Sequence, residues 1–553
     1  MSAAGDAPKT LAPEAAPGDA AGSPPSVLAG ARGRLTLAAT CSITLSTTTR
    51  LASGRTVVPE AALPISLFLL PEELDALQRL ARALRSGHAA LVRAALGRQR
   101  TVEPQAAEQV LVALCREALA ASPLLRELLA VSEPPFRLVP RRPLQREQPQ
   151  APLRVLRVLL DRLPERPSEP PDAPGPPPLL LDLRGAPLAG FGRALGWLSA
   201  GIDADALRAR LLTEAPEVGV AVAALLRHGV VQGDAAGPRL ELLPGELAHL
   251  GHATLLANLG GAHVLIDPWL PAQSRVDILP PLAVAALPEL AAILLTHHHF
   301  DHLNVDTLLR LDKAVPIYIP APVGGAALEP RSRELLRYLG FSDVRELVPG
   351  EVIELGDGGQ VAAAPFYGED PTLLGYRGLC YVLVHDGAAA LVHVDSSTDH
   401  RGCSLVSTGE AAALVRRFGP MALVLATRRQ ERGLMLDYPF EFLLQPAPLW
   451  VAPTENCCND AAFLGALCRA CGTTRLVLYS EGGADFYPDG TDFLRRPSTP
   501  ARCAPYEYLW DPLVRIEDAS REAGAALCVS SPYDVFRIGD GARPPGPVRR
   551  VSP

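Results

Sequence analysis

The residues with the clearest capacity for chemistry in this 553-residue chain lie in one short run of sequence, and they are His297, His299, Asp301 and His302. His297 and His299 are two positions apart, so their side chains can point the same way from an extended backbone. Asp301 and His302 follow on a turn, where they can serve a second, adjacent metal ion. Donors this close in sequence form a nearly preorganised chelate, which lowers the entropy lost on metal binding. The run therefore predicts a site for two metal ions.

The histidine run is expected to begin where a rigid strand ends, because Ile293 to Leu295 has the apolar character of a buried β-strand. From about residue 241 onward, apolar strands alternate with helical segments, which is typical of a layered α/β domain. Upstream, "HATLLANLGGAHVLIDPWL" predicts two strands joined by a glycine turn at Gly260-Gly261. Asp267 follows the second strand, and we expect its carboxylate to order the histidine loop through hydrogen bonds.

The H-x-H-x-D-H run, together with "HATLLANLGGAHVLIDP", resembles the metallo-β-lactamase superfamily over about residues 241–490. The resemblance implies an α/β fold, an αββα sandwich with a dinuclear metal site, preceded here by a separate α+β N-terminal domain. It does not imply a reaction class, because this fold hosts many chemistries. The zinc hydrolases of the superfamily have further histidine ligands after the loop. This chain has no histidine between His302 and His385, and none after His400.

Carboxylates stand where the superfamily has its remaining ligands. In place of the third-motif histidine the chain reads "APFYGED", so the resemblance implies Glu369 as the substitute ligand, with Asp370 as the alternative. Asp395, in "LVHVDSST", matches the bridging aspartate of the superfamily. The implied ligand set places one metal on His297, His299 and Glu369, the other on Asp301 and His302, and Asp395 between them.

This ligand order, with a large N-terminal half, resembles the CmlA-type diiron β-hydroxylases of nonribosomal peptide biosynthesis. The resemblance implies two non-haem irons, oxo- or hydroxo-bridged, that use dioxygen and an external reductant. It implies β-hydroxylation of an amino acid tethered as a thioester to a peptidyl carrier domain of a nonribosomal peptide synthetase. An electron donor protein and a homodimer follow from the same resemblance. A carboxylate-rich ligand set with open positions also favours iron or manganese over zinc.

The alternative class is a zinc- or manganese-dependent hydrolase of the same fold, a thioesterase or lactonase that attacks with a bridging hydroxide. It shares the histidine loop and Asp395 with the oxygenase. It predicts ester or thioester cleavage without reductant or oxygen. The missing late histidines and the Glu369 substitution favour the oxygenase.

Three further histidines are candidates for supporting roles. His252, in "LGHATLL", is either a hydrogen-bonding group near the site or a structural strand residue. His393 precedes Asp395 by two positions and is interpreted as an ordinary packed histidine rather than a support for that carboxylate. His298 is expected to stabilise the loop without binding metal.

The cysteines do not predict a zinc site. Cys468 and Cys471 form a C-x-x-C pair. The nearest other cysteines, Cys457 and Cys458, are adjacent in sequence, which is poor geometry for chelation, and the chain has no matching second C-x-x-C. The four cysteines are therefore interpreted as buried helix thiols, and they are Cys457, Cys458, Cys468 and Cys471.

Composition and charge limit the remaining possibilities. The net charge of −8 argues against general nucleic-acid binding, which needs a basic surface. No apolar stretch approaches the roughly 20 residues of a membrane-spanning helix, and no signal peptide is recognisable at the N-terminus. Ten cysteines in so long a chain fit reduced thiols. We therefore expect a cytoplasmic protein without a membrane or nucleic-acid partner.

The sequence predicts four regions. Residues 1–34 are an Ala/Pro-rich, disordered tail, and residues 35–240 form an N-terminal α+β domain for dimerisation or carrier docking. Within it, a helix is predicted from about Pro104 to Ala121, and the stretch 203–232 resembles a winged-helix unit or, equally, any small helical packing module. Residues 241–500 form the metal domain, and residues 501–553 form a C-terminal extension that packs on it.

Overall fold

The fold is known from a computed structural model, which describes residues 31–37, 41–51, 54–58, 68–70, 72–77, 79–80, 83–84, 104–131, 138–144, 154–160, 186–227, 230–233, 239–270, 282–299, 301–322, 330–367, 378–394, 398, 403–427, 430–431, 459–480, 502–503, 506–507, 509–510, 513–539 and 549–550. Most of the predicted tail lies outside the described residues. So do Glu369, Asp370, Asp395, Cys457 and Cys458.

The described residues before position 240 contain short strands and helices in mixed order. The strands are β1 (Arg34–Leu37), β2 (Cys41–Leu51), β3 (Gly54–Val58), β4 (Leu129–Val131), β5 (Leu138–Pro140), β6 (Arg154–Leu160), β7 (Ile202–Asp203) and β8 (Val231–Gly233). The helices are α1 (Pro104–Ala121), α2 (Pro123–Leu128), α3 (Ala186–Ala200), α4 (Ala204–Glu214) and α5 (Gly219–Arg227), with a 3-10 turn at Pro216–Val218. The predicted helix from Pro104 to Ala121 is confirmed at both ends.

The first half of the metal domain forms one mixed sheet with short helices on its outer face. Its strands are β9 (Glu246–Gly251), β10 (Thr254–Leu259), β11 (Ala262–Ile266), β12 (Leu290–Leu294), β13 (Ile317–Pro320) and β14 (Val344–Leu347). The helical segments between them are a 3-10 turn (Val284–Ala286), α6 (Val305–Arg310) and α7 (Ser332–Tyr338). Strands β11 to β14 run parallel, so their carboxyl ends meet at one edge of the sheet.

The second half forms the facing sheet and the second outer layer. Its strands are β15 (Val352–Glu354), β16 (Gln360–Pro365), β17 (Leu379–His385), β18 (Ala388–His393), β19 (Met421–Ala426), the short β20 (Gln430–Glu431) and β21 (Arg475–Leu478). The helices are α8 (Glu410–Phe418) and α9 (Ala461–Cys471). The side chain of Asp460 caps the start of α9, and Gly472 ends it in the left-handed conformation that glycine favours.

The C-terminal segment contributes two strands to the first large sheet and one to the second. Its elements are β22 (Arg502–Cys503), β23 (Tyr506–Glu507), β24 (Leu509–Trp510), α10 (Leu513–Glu522), β25 (Ala526–Val529), β26 (Asp534–Arg537) and β27 (Arg549–Arg550). The first sheet has the order β14-β13-β12-β11-β10-β9-β26-β27, and the second has the order β15-β16-β17-β18-β19-β21-β25. The sheets of the metal domain therefore extend past residue 500, although the regional boundaries themselves stay predictions.

Alternation along the strands builds two hydrophobic cores. In the first sheet, Leu255 and Val264 face the second sheet, where they meet residues such as Tyr381. Their neighbours Leu256 and Leu265 face the opposite way and join the core beneath the outer helices. A sheet covered on both faces needs strands that are largely apolar, as β10, β11 and β12 are. The predicted αββα layering is confirmed.

The described residues of the N-terminal segment from 186 to 233 pack against the outer face of the first sheet. Its buried residues, among them Phe191 of α3, belong to the same core as the outer face of the first sheet. Two glycines allow α3 to approach closely: a Cβ at Gly192 would lie 2.1 Å from the carbonyl oxygen of Leu339, and one at Gly196 would lie 2.8 Å from that of Leu311. Within the described residues, no helix is both long enough and apolar enough to span a bilayer.

The side chain of Lys313 caps the C-terminal end of α6, close to the contact that Gly192 of α3 makes with Leu339. Its buried ammonium donates hydrogen bonds of 2.9 Å to the carbonyls of Leu308 and Leu309 and a further one to Leu311. It also lies 4.9 Å from the centre of the Phe341 ring. A positive charge is favourable at the end of a helix because the last carbonyls have no partner within it.

Replacing Lys313 with methionine is expected to lower the free energy of unfolding by about 3 kcal/mol, because three buried carbonyls lose their donor. Urea unfolding of the metal-free protein measures this. The control is Arg337→Met on the exposed face of α7, which should change stability by less than about 0.5 kcal/mol. Equal stability of the two variants would contradict the capping role.

Candidate metal centre

The histidine loop lies where two adjacent parallel strands end. Strand β12 runs into Thr296, and the neighbouring strand β11 runs into Asp267. The backbone nitrogen of Asp267 donates to the carbonyl of Leu294 at 2.9 Å, which fixes the two strand ends side by side. Asp267 has φ of 43°, so a non-glycine residue adopts the left-handed conformation here. Such strain persists where the surrounding contacts over-determine it, and it is concentrated at functional sites.

Asp267 orients the loop from behind, as its sequence position predicted. One carboxylate oxygen accepts from the Thr296 backbone nitrogen at 2.8 Å. The other accepts from the Thr296 hydroxyl at 2.6 Å and faces Nδ1 of His302 at 2.7 Å. Because a carboxylate only accepts, the proton of His302 is on Nδ1, and the lone pair of Nε2 is turned to the opposite side.

Thr296 in turn fixes the orientation of the His297 ring. Its hydroxyl, which donates to Asp267, lies 2.9 Å from Nδ1 of His297 and accepts from it. Nε2 of His297 is left with its lone pair and lies 3.0 Å from Nδ1 of His299. Two nitrogens that bind one ion at about 2.1 Å and at right angles are about 3.0 Å apart. The separation therefore fits the predicted shared metal.

Burial and its neighbours hold His297 neutral, as a ligand must be. Burial lowers the pKa of His297 well below its usual range, and the neighbouring histidine His302 lowers it further. The imidazole stacks against the ring of Phe366, with centroids 5.4 Å apart. Gly378 makes room for this packing, because a Cβ there would lie 2.5 Å from the Phe366 ring and 2.9 Å from the Thr296 carbonyl.

Asp301 supplies a buried negative charge beside the histidines. Burial alone raises the pKa of Asp301, but the nearby imidazoles of His302 and His252 outweigh it and hold the pKa well below the usual range. Its Oδ2 lies 3.9 Å from Nε2 of His302 and 3.3 Å from Nε2 of His252. Its Oδ1 is buried and has no hydrogen-bond donor among the described residues. A buried carboxylate oxygen without a donor is costly unless a cation satisfies it, so the donor set fits a metal ion.

His252 is the residue whose position the sequence left open. It lies in the tight turn between β9 and β10, it is 3% exposed, and its ring faces Asp301 and His302. Among the described residues, one group of three donors lies close enough to share an ion: His252, Asp301 and His302, whose ligand atoms all fall within 4.8 Å of one another. The sequence shows His252 only as part of a glycine-histidine turn before a strand. That pattern does not indicate how close His252 lies to the histidine loop, about 50 positions later.

The packing contacts of the remaining candidates indicate structural roles for them. His298 is buried and contacts the edge of the His299 ring, with centroids 5.2 Å apart. His393 is buried and packs on Phe463 of α9 at 5.3 Å. Cys468 and Cys471 lie within α9, and burial raises the pKa of each thiol to about 12. Both belong to the hydrophobic core of the second sheet, which fits the interpretation as packed helix thiols.

The described strands lead toward the site at both points where further carboxylates are predicted. Strands β16 and β18 each pair antiparallel with β17, so they run in the same direction and end at the same edge of the sheet. That edge touches the histidine loop, because the backbone nitrogen of Leu379 donates to the Thr296 carbonyl at 2.8 Å. Glu369 follows β16 by four positions, and Asp395 follows β18 by two. Their positions lie outside the described residues and stay predictions.

Comparison with known proteins identifies the fold of this domain. Residues 262–425, from β11 into β19, match the family model of the beta-lactamase superfamily domain. A crystal structure of CmlA, a diiron beta-hydroxylase from Streptomyces venezuelae, matches with a TM-score of 0.52 and 16% sequence identity over 92% of this chain and 100% of that chain. The likeness extends through the N-terminal half and shows a common fold.

Curated relatives match shorter segments. The 4-amino-L-phenylalanyl-(CmlP-peptidyl-carrier-protein) 3-hydroxylase of Streptomyces venezuelae is 34% identical over 132 residues, which cover 22% of this chain and 24% of the relative. A metal-dependent hydrolase of Myxococcus xanthus is 27% identical over 176 residues, which cover 30% of this chain and 56% of the relative. The chain thus aligns with about a quarter of the first relative and about half of the second.

Proposed function

Because this chain contains a metallo-β-lactamase-superfamily domain within a CmlA-type fold, we propose that it is a diiron monooxygenase. Its substrate is an amino acid held as a thioester on a peptidyl carrier domain of a nonribosomal peptide synthetase, and the β-carbon is hydroxylated. The proposal rests above all on the ligand set. The histidine loop is intact, but a carboxylate, Glu369, stands where zinc hydrolases of the fold have a histidine.

The ligand types favour a redox metal. The proposed set contains three histidines (His297, His299, His302) and three carboxylates (Asp301, Glu369, Asp395). Oxygen-rich ligand sets with open positions suit iron, whereas zinc prefers nitrogen and sulfur donors and has no redox chemistry. When bound, two irons would supply the reduction of dioxygen by an external electron donor that C–H hydroxylation requires.

The protein itself contributes orientation and exclusion of water. The hydrogen-bonded chain from Asp267 through Thr296 fixes which nitrogen of His297 and His302 has the lone pair. The imidazoles of the loop are between 0% and 6% exposed, so bulk water does not compete for their lone pairs. Side chains held in this way would keep their donor atoms in place for bound metal while the substrate is exchanged.

The decisive experiment measures metal content and the optical spectrum of the purified protein before and after reduction under argon. We expect about two irons per chain and a near-ultraviolet charge-transfer absorption that bleaches on reduction and returns with oxygen. Carrier-bound aminoacyl thioesters are then assayed for a mass gain of one oxygen. Zinc alone, without a redox response even after iron-supplemented expression, would overturn the proposal.

A hydrolase is the second candidate, favoured by the match to the Myxococcus xanthus metal-dependent hydrolase. It requires a metal-bound hydroxide as nucleophile and neither reductant nor oxygen. Cleavage of aryl esters or acyl thioesters by the zinc- or manganese-loaded protein under argon would favour it. The same assay with the reduced diiron protein and oxygen separates the two classes.

Replacing Glu369 with alanine is expected to lower iron content and to abolish hydroxylation, because the first metal loses its only terminal carboxylate. The matched control is Asp370→Ala at the adjacent acid, which should retain both irons and the rate. Iron analysis and single-turnover product yield measure this. If only the Asp370 variant loses iron, the ligand is Asp370, and full iron with normal turnover in the Glu369 variant would refute the assignment.

A further inference from the structure

We propose that His252 is a metal ligand, so that His252, Asp301 and His302 together hold one of the two ions. The inference deepens the proposed function at the same site, but it requires only that a divalent metal binds there. It adds a ligand to the second metal, for which the sequence supplied Asp301, His302 and the shared Asp395.

The distances fit a shared ion better than a direct hydrogen bond. Nε2 of His252 lies 3.3 Å from Oδ2 of Asp301, and Nε2 of His302 lies 3.9 Å from the same oxygen. Charge-assisted hydrogen bonds between nitrogen and carboxylate are shorter, at about 2.7–2.9 Å. Two ligand atoms on one ion, each about 2.1 Å from it, are about 3–4 Å apart over the usual range of angles. Both measured distances lie in this range.

The ring of His252 is held with Nε2 toward Asp301. Nδ1 lies 3.3 Å from the hydroxyl of Ser480, which can accept its proton, and in that tautomer the lone pair is on Nε2. The ring packs edge-on against Trp269, with centroids 5.2 Å apart. A metal-binding histidine typically donates its other nitrogen to a nearby oxygen in this way.

The backbone around His252 is fixed in an unfavourable conformation. His252 has φ of 42°, and Ser480, its ring partner, has φ of 65°. The turn is held from below by His249, whose ring nitrogen Nε2 donates to the His252 carbonyl at 2.7 Å while its Nδ1 lies 3.0 Å from the Ser530 hydroxyl. Two strained non-glycine residues meeting through their side chains indicate that the position of this ring is constrained for a purpose.

The proposed ligand set of the second metal would therefore contain one more nitrogen donor. With His252, the site has four histidines and three carboxylates, and the ion on Asp301 and His302 has one fewer open position. The ring of this added ligand is supported from a distant part of the chain, because its hydrogen-bond partner Ser480 is 228 positions from His252 in sequence.

Anaerobic titration of the metal-free protein with Co²⁺, followed by visible absorption, tests the proposal. The unaltered protein is expected to bind two equivalents. In His252→Ala the equivalent at Asp301 and His302 should bind at least about 10–100-fold more weakly. In His252→Gln it should be equally weak, because the amide can donate a hydrogen bond to Asp301 but is a poor ligand. The control is His263→Gln on half-buried β11, which should bind as the unaltered protein does.

The outcomes separate ligation from support. Normal affinity in His252→Ala overturns the proposal, and normal affinity in His252→Gln alone shows that His252 only hydrogen-bonds to Asp301. Proton NMR of the unaltered dicobalt protein needs no variant to fold: it should show one exchangeable, strongly shifted imidazole N–H for each bound histidine, four in all, and three would overturn the proposal. Because neither measurement involves oxygen or a carrier, failure of the oxygenase proposal would leave both results standing.

Discussion

Replacement of Asp301 by asparagine is expected to remove one of the two metal ions and, with it, all measurable hydroxylation. The buried carboxylate supplies the negative charge that offsets a divalent ion, and a neutral amide supplies none. Its Oδ1 has no hydrogen-bond donor among the described residues, so a metal is the partner that it fits. Two-metal chemistry requires both ions, so the loss of one should abolish product formation rather than slow it slightly.

Metal analysis and single-turnover product yield check this expectation. The control is Asp518→Asn on the exposed face of α10, which should retain about two irons and the normal yield. An Asp301→Asn protein that keeps both irons and its yield would exclude Asp301 from the ligand set. Loss of one iron with normal yield would instead show that one metal is sufficient.

Replacement of Asp267 by alanine is expected to lower the free energy of unfolding by about 3–5 kcal/mol and to weaken metal binding by about 10–100-fold. The carboxylate is fully buried and accepts from the Thr296 backbone nitrogen, the Thr296 hydroxyl and His302. Without it, those donors lose their acceptor in the interior, and the rings of His297 and His302 lose the contacts that fix their lone pairs.

Thr296→Val separates these two effects, because it removes the hydroxyl but leaves the backbone bond and the His302 bond to Asp267. It should weaken metal binding through His297 while costing only about 1 kcal/mol of stability. Urea unfolding of the metal-free proteins and Co²⁺ titration give both quantities. If the Asp267 variant binds metal normally despite its lower stability, the carboxylate supports the fold alone.

The grouping of the side chains in the histidine loop could be predicted from the sequence because it depends on local spacing. His297 and His299 are two positions apart, and Asp301 and His302 follow directly, so any extended backbone leading into a turn brings them together. The strand before the loop and the role of Asp267 were also predictable, because parallel strands place their carboxyl ends at one edge. Helix α1, with a proline at its first position, was predicted from about Pro104 to Ala121 and has these bounds.

The docking of the N-terminal segment was not predictable in the same way. The sequence predicted an α+β domain before residue 240, but it gave no signal that Phe191 of α3 would pack into the core beneath the first sheet. The close contact depends on Gly192 meeting a carbonyl of a distant turn. A glycine in a helical pattern carries no information about the surface that will pack against it.

The sequence by itself determined the histidine loop, its neighbouring carboxylate and the layered fold, since these depend on spacing within a few residues and on strand alternation. Only the tertiary structure decided that His252 faces Asp301. The ring of His252 is positioned by Ser480. Its backbone is held by His249, which contacts Ser530, a residue 281 positions from His249 in sequence. Those residues meet because β26 pairs with β9 and because β21 and β25 complete the facing sheet. Such contacts follow from the closure of whole sheets, which no local pattern of residues encodes.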